Sequence, residues 1–341
     1  MDDLELTGFF PYNNLGKTDL IHRKARKNMK NFYLNHDSNM DDFTSLLLML
    51  LAPDIKLIGV GVTDADGYVE PGVSASRKII DRFNQRGDKL EVARSNSRPI
   101  NQFPEAWRVS SFSVDHFPIL NETGVVKTPI AKKPAHLDMI DKIHKADGPV
   151  TLVFTGPLTD LARALEIDPS IQDKVEELYW MGGSLNGHGN VFTPVSDDTQ
   201  EWNAWWDPEA CKTVWDSKLK IQQVGLESTE ELPLTDEMRQ HFNQNRKYPA
   251  FEFVGYLYSL VNSFEVDSTY YLWDVLTTMS ALYPEIVTSR DTKSDVYTDG
   301  HRAGRFFETE NGRPMTLVTS ANYDKFWEHF DSLCKNAKLL G

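Results

Sequence analysis

The sequence predicts an α/β fold: a single large domain with a central, mostly parallel sheet flanked by helices, in a Rossmann-like arrangement. Three observations lead there. From about residue 31 strand-like and helix-like segments alternate, the pattern of a parallel sheet covered on both faces. With 341 residues, 40% hydrophobic and 11% aromatic, the chain can bury a large core. No repeat, low-complexity segment or Pro/Gly-rich linker divides it, so residues 31–341 read as one domain behind an N-terminal extension, 1–30.

The elements follow in order. Asn31 to His36 reads as a strand, and Asp41 to Ala52 as a helix with acids in its first turn and a leucine-rich body. Lys56 to Thr63 reads as a buried strand, Ser74 to Asn84 as a helix and Leu90 to Arg94 as a strand. Val150 to Thr155, Leu158 to Ile167, Val175 to Met181, Pro208 to Trp215 and Ile221 to Leu226 repeat the alternation. Thr235 to about Pro284 reads as helical, Val296 to Ser320 as strand-like and Asn322 to Lys335 as a closing helix. In such sheets ligands sit at the carboxyl ends of the strands.

Composition excludes several function classes. Fifty acidic against 36 basic residues leave a net charge of −14, the wrong sign for a nucleic-acid partner. The basic cluster Arg23-Lys24-Ala25-Arg26-Lys27 reads as part of a solvated leader. Two distant cysteines, Cys211 and Cys334, form neither a disulfide framework nor a zinc set. The apolar run Leu46 to Ala52 is too short to span a bilayer. The acidic start lacks the basic-then-apolar order of a signal peptide. A cytoplasmic protein acting on a small molecule, without membrane or nucleic acid, is expected.

The richest stretch is Asn35-His36-Asp37-Ser38-Asn39-Met40-Asp41-Asp42. Asn35 and Asp37 share one side of a strand end, while His36 takes the other and faces the core or a helix. Asp41 and Asp42 open the helix, where the loop can fold them toward Asp37. Crowded carboxylates repel, and a hard cation such as Ca²⁺ relieves this with oxygen ligands. Two other readings compete: acids that merely favour a helix N-terminus, and the D-x-D of a haloacid-dehalogenase-like phosphotransferase, whose usual continuation Asp41-Asp42 does not match.

Further motifs follow in order. They are Thr63-Asp64-Ala65-Asp66, Phe154-Thr155-Gly156-Pro157-Leu158-Thr159, Met181-Gly182-Gly183, Gly189-Asn190-Val191, Glu201-Trp202-Asn203, Trp206-Asp207-Pro208 and Trp273-Asp274. Together with NHDSNMDDF at 35–43 they resemble the nucleoside hydrolases, over about residue 31 to the end. The stretches Asp64-Ala65-Asp66, Phe103-Pro104-Glu105-Ala106-Trp107-Arg108 and Pro118-Ile119-Leu120-Asn121, and Trp rather than His before Asp274, are most similar to the purine-specific inosine-adenosine-guanosine branch.

That resemblance implies hydrolysis of the N-glycosidic bond of purine ribonucleosides by a Ca²⁺-activated water. It implies Asp37, Asp42, Asp274 and the Thr155 carbonyl as Ca²⁺ ligands, with Asp37 also the general base. Asn39, Asp41, Asn190, Glu201 and Asn203 would hold the ribose, Trp107 and Trp273 would sandwich the purine, and Asp66 would touch the base or a water. It also implies a homodimer or homotetramer, and mobile loops around Ser74 and Thr235 to Asp267. Taken without it, Asn39, Asn190 and Asn203 read as loop or turn residues and the tryptophans as core. His188 reads as a loop residue rather than an acid, and His241 as helix surface. Two departures stand out: Asn35, where the family usually has Asp, predicts weaker Ca²⁺ binding or a shifted pH profile, and Gly67 predicts a looser loop at Asp66. A catalytically impaired nucleoside- or sugar-binding homologue stays open, as does a hydrolase of another ribosyl compound, such as a pyrimidine nucleoside or nicotinamide riboside.

Overall fold

A computed structural model of the chain describes residues 29–261 and 269–341. Nearly all of the leader, 1–28, lies outside the described residues.

Six parallel strands carry the site: β1 (Lys30–His36), β2 (Ile55–Val62), β3 (Val92–Arg94), β4 (Val150–Phe154), β5 (Val175–Met181) and β6 (Ile221–Val224). Three more close the sheet: β7 (Val287–Val296), β8 (Phe306–Glu308) and β9 (Arg313–Ala321). The order is β3-β2-β1-β4-β5-β6-β9-β7-β8, with β9 parallel to β6 and only the last two pairings antiparallel. The chain runs outward from β1 to β3 and then crosses to β4 on the other side of β1. The crevice between β1 and β4 is therefore the point at which the winding reverses, where open α/β sheets bind ligands.

Side-chain alternation along β1 explains the two cores. Phe32 and Leu34 enter one apolar cluster and Tyr33 the other, on opposite faces. Helix α1 (Met40–Leu51) buries eleven residues, Met40 through Leu50. It carries the first core with α2 (Val69–Phe83), while α3 (Ala135–Lys145), α4 (Thr159–Ile167) and α5 (Pro208–Trp215) cover the other face. Among the described residues no helix is long and apolar enough to cross a membrane.

The expected elements are present, with three differences. The helical block at 235–284 is divided into α6 (Asp236–Gln244), α7 (Pro249–Ser259) and α8 (Trp273–Leu282), followed after β9 by α9 (Tyr323–Lys335). Helix α3 has no counterpart in the sequence reading, and β7 begins nine residues before the strand-like block expected from Val296. β7 is mostly exposed near its start and β8 pairs only its last three residues, so it lacks the apolar alternation that would reveal it. Ser74, expected near a mobile loop, lies inside α2. Part of the second expected loop, 262–268, lies outside the described residues.

Candidate active site

The β1–α1 connection is set by its own residues. Asn39 caps α1: its Oδ1 accepts from Met40 N at 2.8 Å, and Asp42 Oδ2 accepts from Asn39 N at 2.7 Å, a reciprocal capping box. The capping expectation is thus realised in part, but only one Asp42 oxygen is used that way. Its Oδ1 accepts from Thr155 Oγ1 at 2.6 Å and from Asp37 N at 3.3 Å. Ser38, between strand and cap, has φ of 77°.

Asp37 follows β1 and Thr155 follows β4, and the two strands are paired up to Asn35 and Phe154. A Cβ at Gly156 would lie 2.8 Å from Asp37 Cγ, so glycine lets the β4 turn approach the carboxylate. Asp37 Oδ2 accepts from Asp66 N at 3.1 Å, tying in the end of β2. Asp41 turns the other way: Tyr270 Oη donates to its Oδ1 at 2.7 Å and Asp274 N to its Oδ2 at 3.3 Å. Asp41, Asp42 and Asp274 are buried and each offers an oxygen within 4.8 Å of the others.

The electrostatics follow from this crowding. Burial pushes the carboxyls of Asp37 and Asp274 well above the ordinary range; repulsion from Asp42 and Asp66 adds at Asp37, and from Asp41, Asp42 and Asp37 at Asp274. Burial and then Asp42 raise Asp41 to about 6, against the pull of the Tyr270 hydroxyl. Burial raises Asp66 to about 8, although Asn39 Nδ2 donates to it. Among the described residues no lysine or arginine pairs with Asp37, Asp41, Asp42 or Asp274, whose partners are one another, hydroxyls and backbone N–H groups. The donors are hard oxygens, and like charges in a dry pocket are stable together only when protonated or neutralised. That set fits a divalent cation of the Ca²⁺ type, which takes about 6–8 oxygen ligands.

The remaining predicted residues lie around this centre. Asn203 Nδ2 donates to the Thr155 carbonyl at 3.0 Å and to the Met181 carbonyl at 3.1 Å, leaving its buried Oδ1 unpartnered. Glu201 caps the short helix Trp202–Trp206: Asn203 N donates to Oε1 at 2.9 Å, and Gly183 N and Ala204 N to Oε2 at 2.8 and 3.1 Å. Burial raises it to about 7 despite these bonds. Asn190 Oδ1 accepts from Trp202 N at 3.2 Å. Trp107 is 44% exposed and meets Trp202 edge-on at 5.3 Å. Trp273 packs edge-on against Tyr270 at 4.8 Å, with its buried Nε1 unpartnered. Among the described residues, no ring contact joins Trp107 to Trp273.

His36 lies where alternation puts it, whereas His241, read as helix surface, is half-buried against Phe251 and Trp327 with its Nε2 2.7 Å from Asp331. His36 is buried on the opposite side of β1, its Nε2 3.0 Å from Ser76 Oγ on α2. His188 is exposed, with Glu230 3.5 Å away. Neither departure looks as it does in sequence. Gly67 is not loose: its N–H donates to the Asp37 carbonyl at 2.6 Å, and a Cβ there would lie 2.4 Å from the Ser38 carbonyl oxygen. Asn35 finds its own acidic partner: its Nδ2 donates to Asp160 Oδ2 at 3.3 Å.

Sequence reasoning missed three supporting residues. Tyr270, which holds Asp41, lies three positions before Trp273, close enough to have been considered. Arg108 sits beside Trp107, donates to the Ala65 carbonyl at 2.9 Å and pairs with Asp64 at 2.6 Å. It thereby ties the Trp107 turn to the Asp66 loop. Asp160 carried no sequence signal beyond its place in a first helical turn.

Comparison with known proteins agrees with this geometry. A family model described as inosine-uridine preferring nucleoside hydrolase matches residues 32–328. The crystal structure of an inosine-uridine preferring nucleoside hydrolase from Bacillus anthracis is 45% identical, with a TM-score of 0.87 over 90% of this chain and 99% of that one. The inosine-uridine preferring nucleoside hydrolase of Leishmania major is 25% identical over 312 residues, 86% of this chain and 94% of its own. The pyrimidine-specific ribonucleoside hydrolase RihA of Shewanella baltica is 32% identical over 209 residues, 61% of this chain and 62% of its own.

Proposed function

The chain belongs to the inosine-uridine preferring nucleoside hydrolase family and is an N-glycosyl hydrolase of ribonucleosides, and from that premise we propose that it prefers purine ribonucleosides and works through Ca²⁺ with Asp37 as general base. The observation that carries the metal is the buried trio Asp41, Asp42 and Asp274, which among the described residues has no lysine or arginine partner. Asp37 and the Thr155 carbonyl stand beside it. A divalent cation held there would lower the pKa of water and bind sugar hydroxyls.

The protein's own groups supply the rest. Asp37, which pairs with no lysine or arginine among the described residues, takes a proton from the attacking water. The water oxygen bonds to the anomeric carbon as the C–N bond breaks, and the base leaves with a proton, so one water is added in all. The unpartnered Oδ1 of Asn203 and a carboxylate oxygen of Asp41 suit ribose hydroxyls. Trp273 and the exposed Trp107 offer faces to a flat base, where stacking is worth about 1–3 kcal/mol per base. The larger purine gains more from such faces.

A second reading, hydrolysis of inosine and uridine alike, is favoured by the name of the 45% identical Bacillus anthracis protein. One experiment separates the two. The protein is incubated with inosine, adenosine, guanosine, uridine and cytidine, with calcium and then with chelator, and reducing sugar is measured. Calcium-dependent release from purines, lost in Asp37→Ala, is expected. Uridine cleaved as fast as inosine supports the second reading, and release that survives chelation overturns the metal assignment.

A further inference from the structure

Under the crevice lies a buried polar junction that the proposed chemistry does not use. Its hub is Asp160, fully buried in the first turn of α4. Ser95 Oγ and Ser97 Oγ each donate to its Oδ1 at 2.8 Å. Asn35 Nδ2 and Thr63 Oγ1 donate to its Oδ2 at 3.3 and 3.2 Å. Thr63 Oγ1 also lies 3.0 Å from Asn35 Oδ1. His136 Nδ1, on α3, stands 3.9 Å from the same carboxylate.

The origins of these donors matter more than their number. Asn35 lies near the carboxyl end of β1, Thr63 directly follows β2, Ser95 and Ser97 follow β3, and Asp160 comes from the helix after β4. One carboxylate, carried by the helix after β4, therefore binds the ends of three adjacent strands. The carbonyl of Asn35 continues the connection, accepting from Thr155 N at 3.0 Å. Thr155 in turn holds Asp42 through its hydroxyl and presents its carbonyl at the site. Asp37 is two residues beyond Asn35.

We infer that Asp160 is a positioning residue for the metal centre, acting through Asn35 and Thr155, and that the Asn35 amide is required because it donates to this carboxylate. It rests on the calcium reading above. The pair has a definite polarity: an acceptor at 160 and a donor at 35. Asn35→Asp sets two carboxylates against each other in a buried place. Asp160→Asn leaves two amides in contact. Exchanging both gives every donor an acceptor again: the amide oxygen introduced at position 160 can accept from Ser95 and Ser97, the amide nitrogen there can donate to the carboxylate at position 35, and Thr63 can donate to that carboxylate.

The test is calcium binding by titration calorimetry, with hydrolysis kinetics and thermal melts, on the parent, both single variants and the double exchange. Loss of a supporting partner typically weakens a metal site about 10–100-fold. Each single variant is expected to lose at least about tenfold in calcium affinity and the double to return to within about threefold of the parent. Val214→Ala, a buried apolar change in α5 at a side chain that takes no part in the junction's hydrogen bonds, controls for destabilisation: it is expected to lower the melting temperature and keep calcium affinity. If Asn35→Asp fails to fold, Asp160→Asn and the double exchange still decide. Single variants that bind calcium like the parent, or a double exchange no better than Asp160→Asn, overturn the inference. A parent that binds no calcium overturns the metal reading instead.

Discussion

Two sets of buried carboxylates lie at this end of the sheet, and they are treated differently. Glu201 is 2% exposed, but three backbone N–H groups from two elements point at its oxygens. Asp41, Asp42 and Asp274 are equally buried, but there carboxylate faces carboxylate. Glu201 is satisfied by the fold and holds the Trp202–Trp206 helix in place. The aspartates repel one another in the ligand-free chain, and burial without a counter-charge is unfavourable. A buried acid that stands apart among donors is explained by architecture; acids that face one another, although Asp42 also has three donors and Asp41 two, call for a counter-charge from outside the chain.

The contrast can be broken most severely at the aspartates. Asp274→Asn removes one of three charges, and calcium affinity is expected to fall by more than the about 10–100-fold that follows loss of a supporting partner. Hydrolysis should fall with it and recover in part at high calcium. Unchanged affinity by calorimetry would move the cation elsewhere.

Next in size is the response of stability to pH and metal. Asp41 rises from 3.8 to about 6 and Asp66 from 3.8 to about 8 on folding, and Asp37 and Asp274 are also raised well above the ordinary range. Raised carboxyl values mean that the native state binds more protons than the unfolded chain. Chelated protein should therefore lose stability as pH climbs from about 4 to about 8, opposite to the effect of a salt-bridged acid. Saturating calcium at about 100 times Kd contributes about 2.7 kcal/mol, and its gain should grow across the same window. Melting curves with and without chelator at several pH values measure this. A calcium gain independent of pH would contradict it.

Glu201→Gln gives the smallest effect. It replaces an acceptor with a donor facing backbone N–H groups, and a loss of about 1–3 kcal/mol is expected. Calcium affinity should stay near the parent value. A large loss of calcium affinity would instead place Glu201 with the aspartates.

The acid cluster was legible because acids at a strand end followed by acids opening a helix are a local pattern. The family resemblance added Thr155 and Trp273-Asp274. Departures were harder to read. Asn35 reads in sequence as a supporting position that has lost a charge, but its partner, Asp160, lies 125 positions away and is not visible there. Gly67 reads as a loosening residue, whereas it is where the chain passes against Ser38 too closely for a side chain. In both cases the deciding partner comes from another element, and no local pattern encodes it.

By itself the sequence determined the alternating α/β architecture and the order of the parallel strands' segments, while its resemblance to the nucleoside hydrolases pointed to the residues of the candidate site. Hydrophobic periodicity and end-capping are properties of neighbours in the chain, so they are visible there. The tertiary structure decided which oxygens face one another. It distinguished the donor-filled Glu201 from the crowded aspartates, turned Asn35 toward Asp160, and brought Tyr270 to Asp41. The physical reason is that desolvation and hydrogen-bond satisfaction depend on every element packed around a group, and the reversal of winding between β1 and β4 brings together segments more than a hundred residues apart.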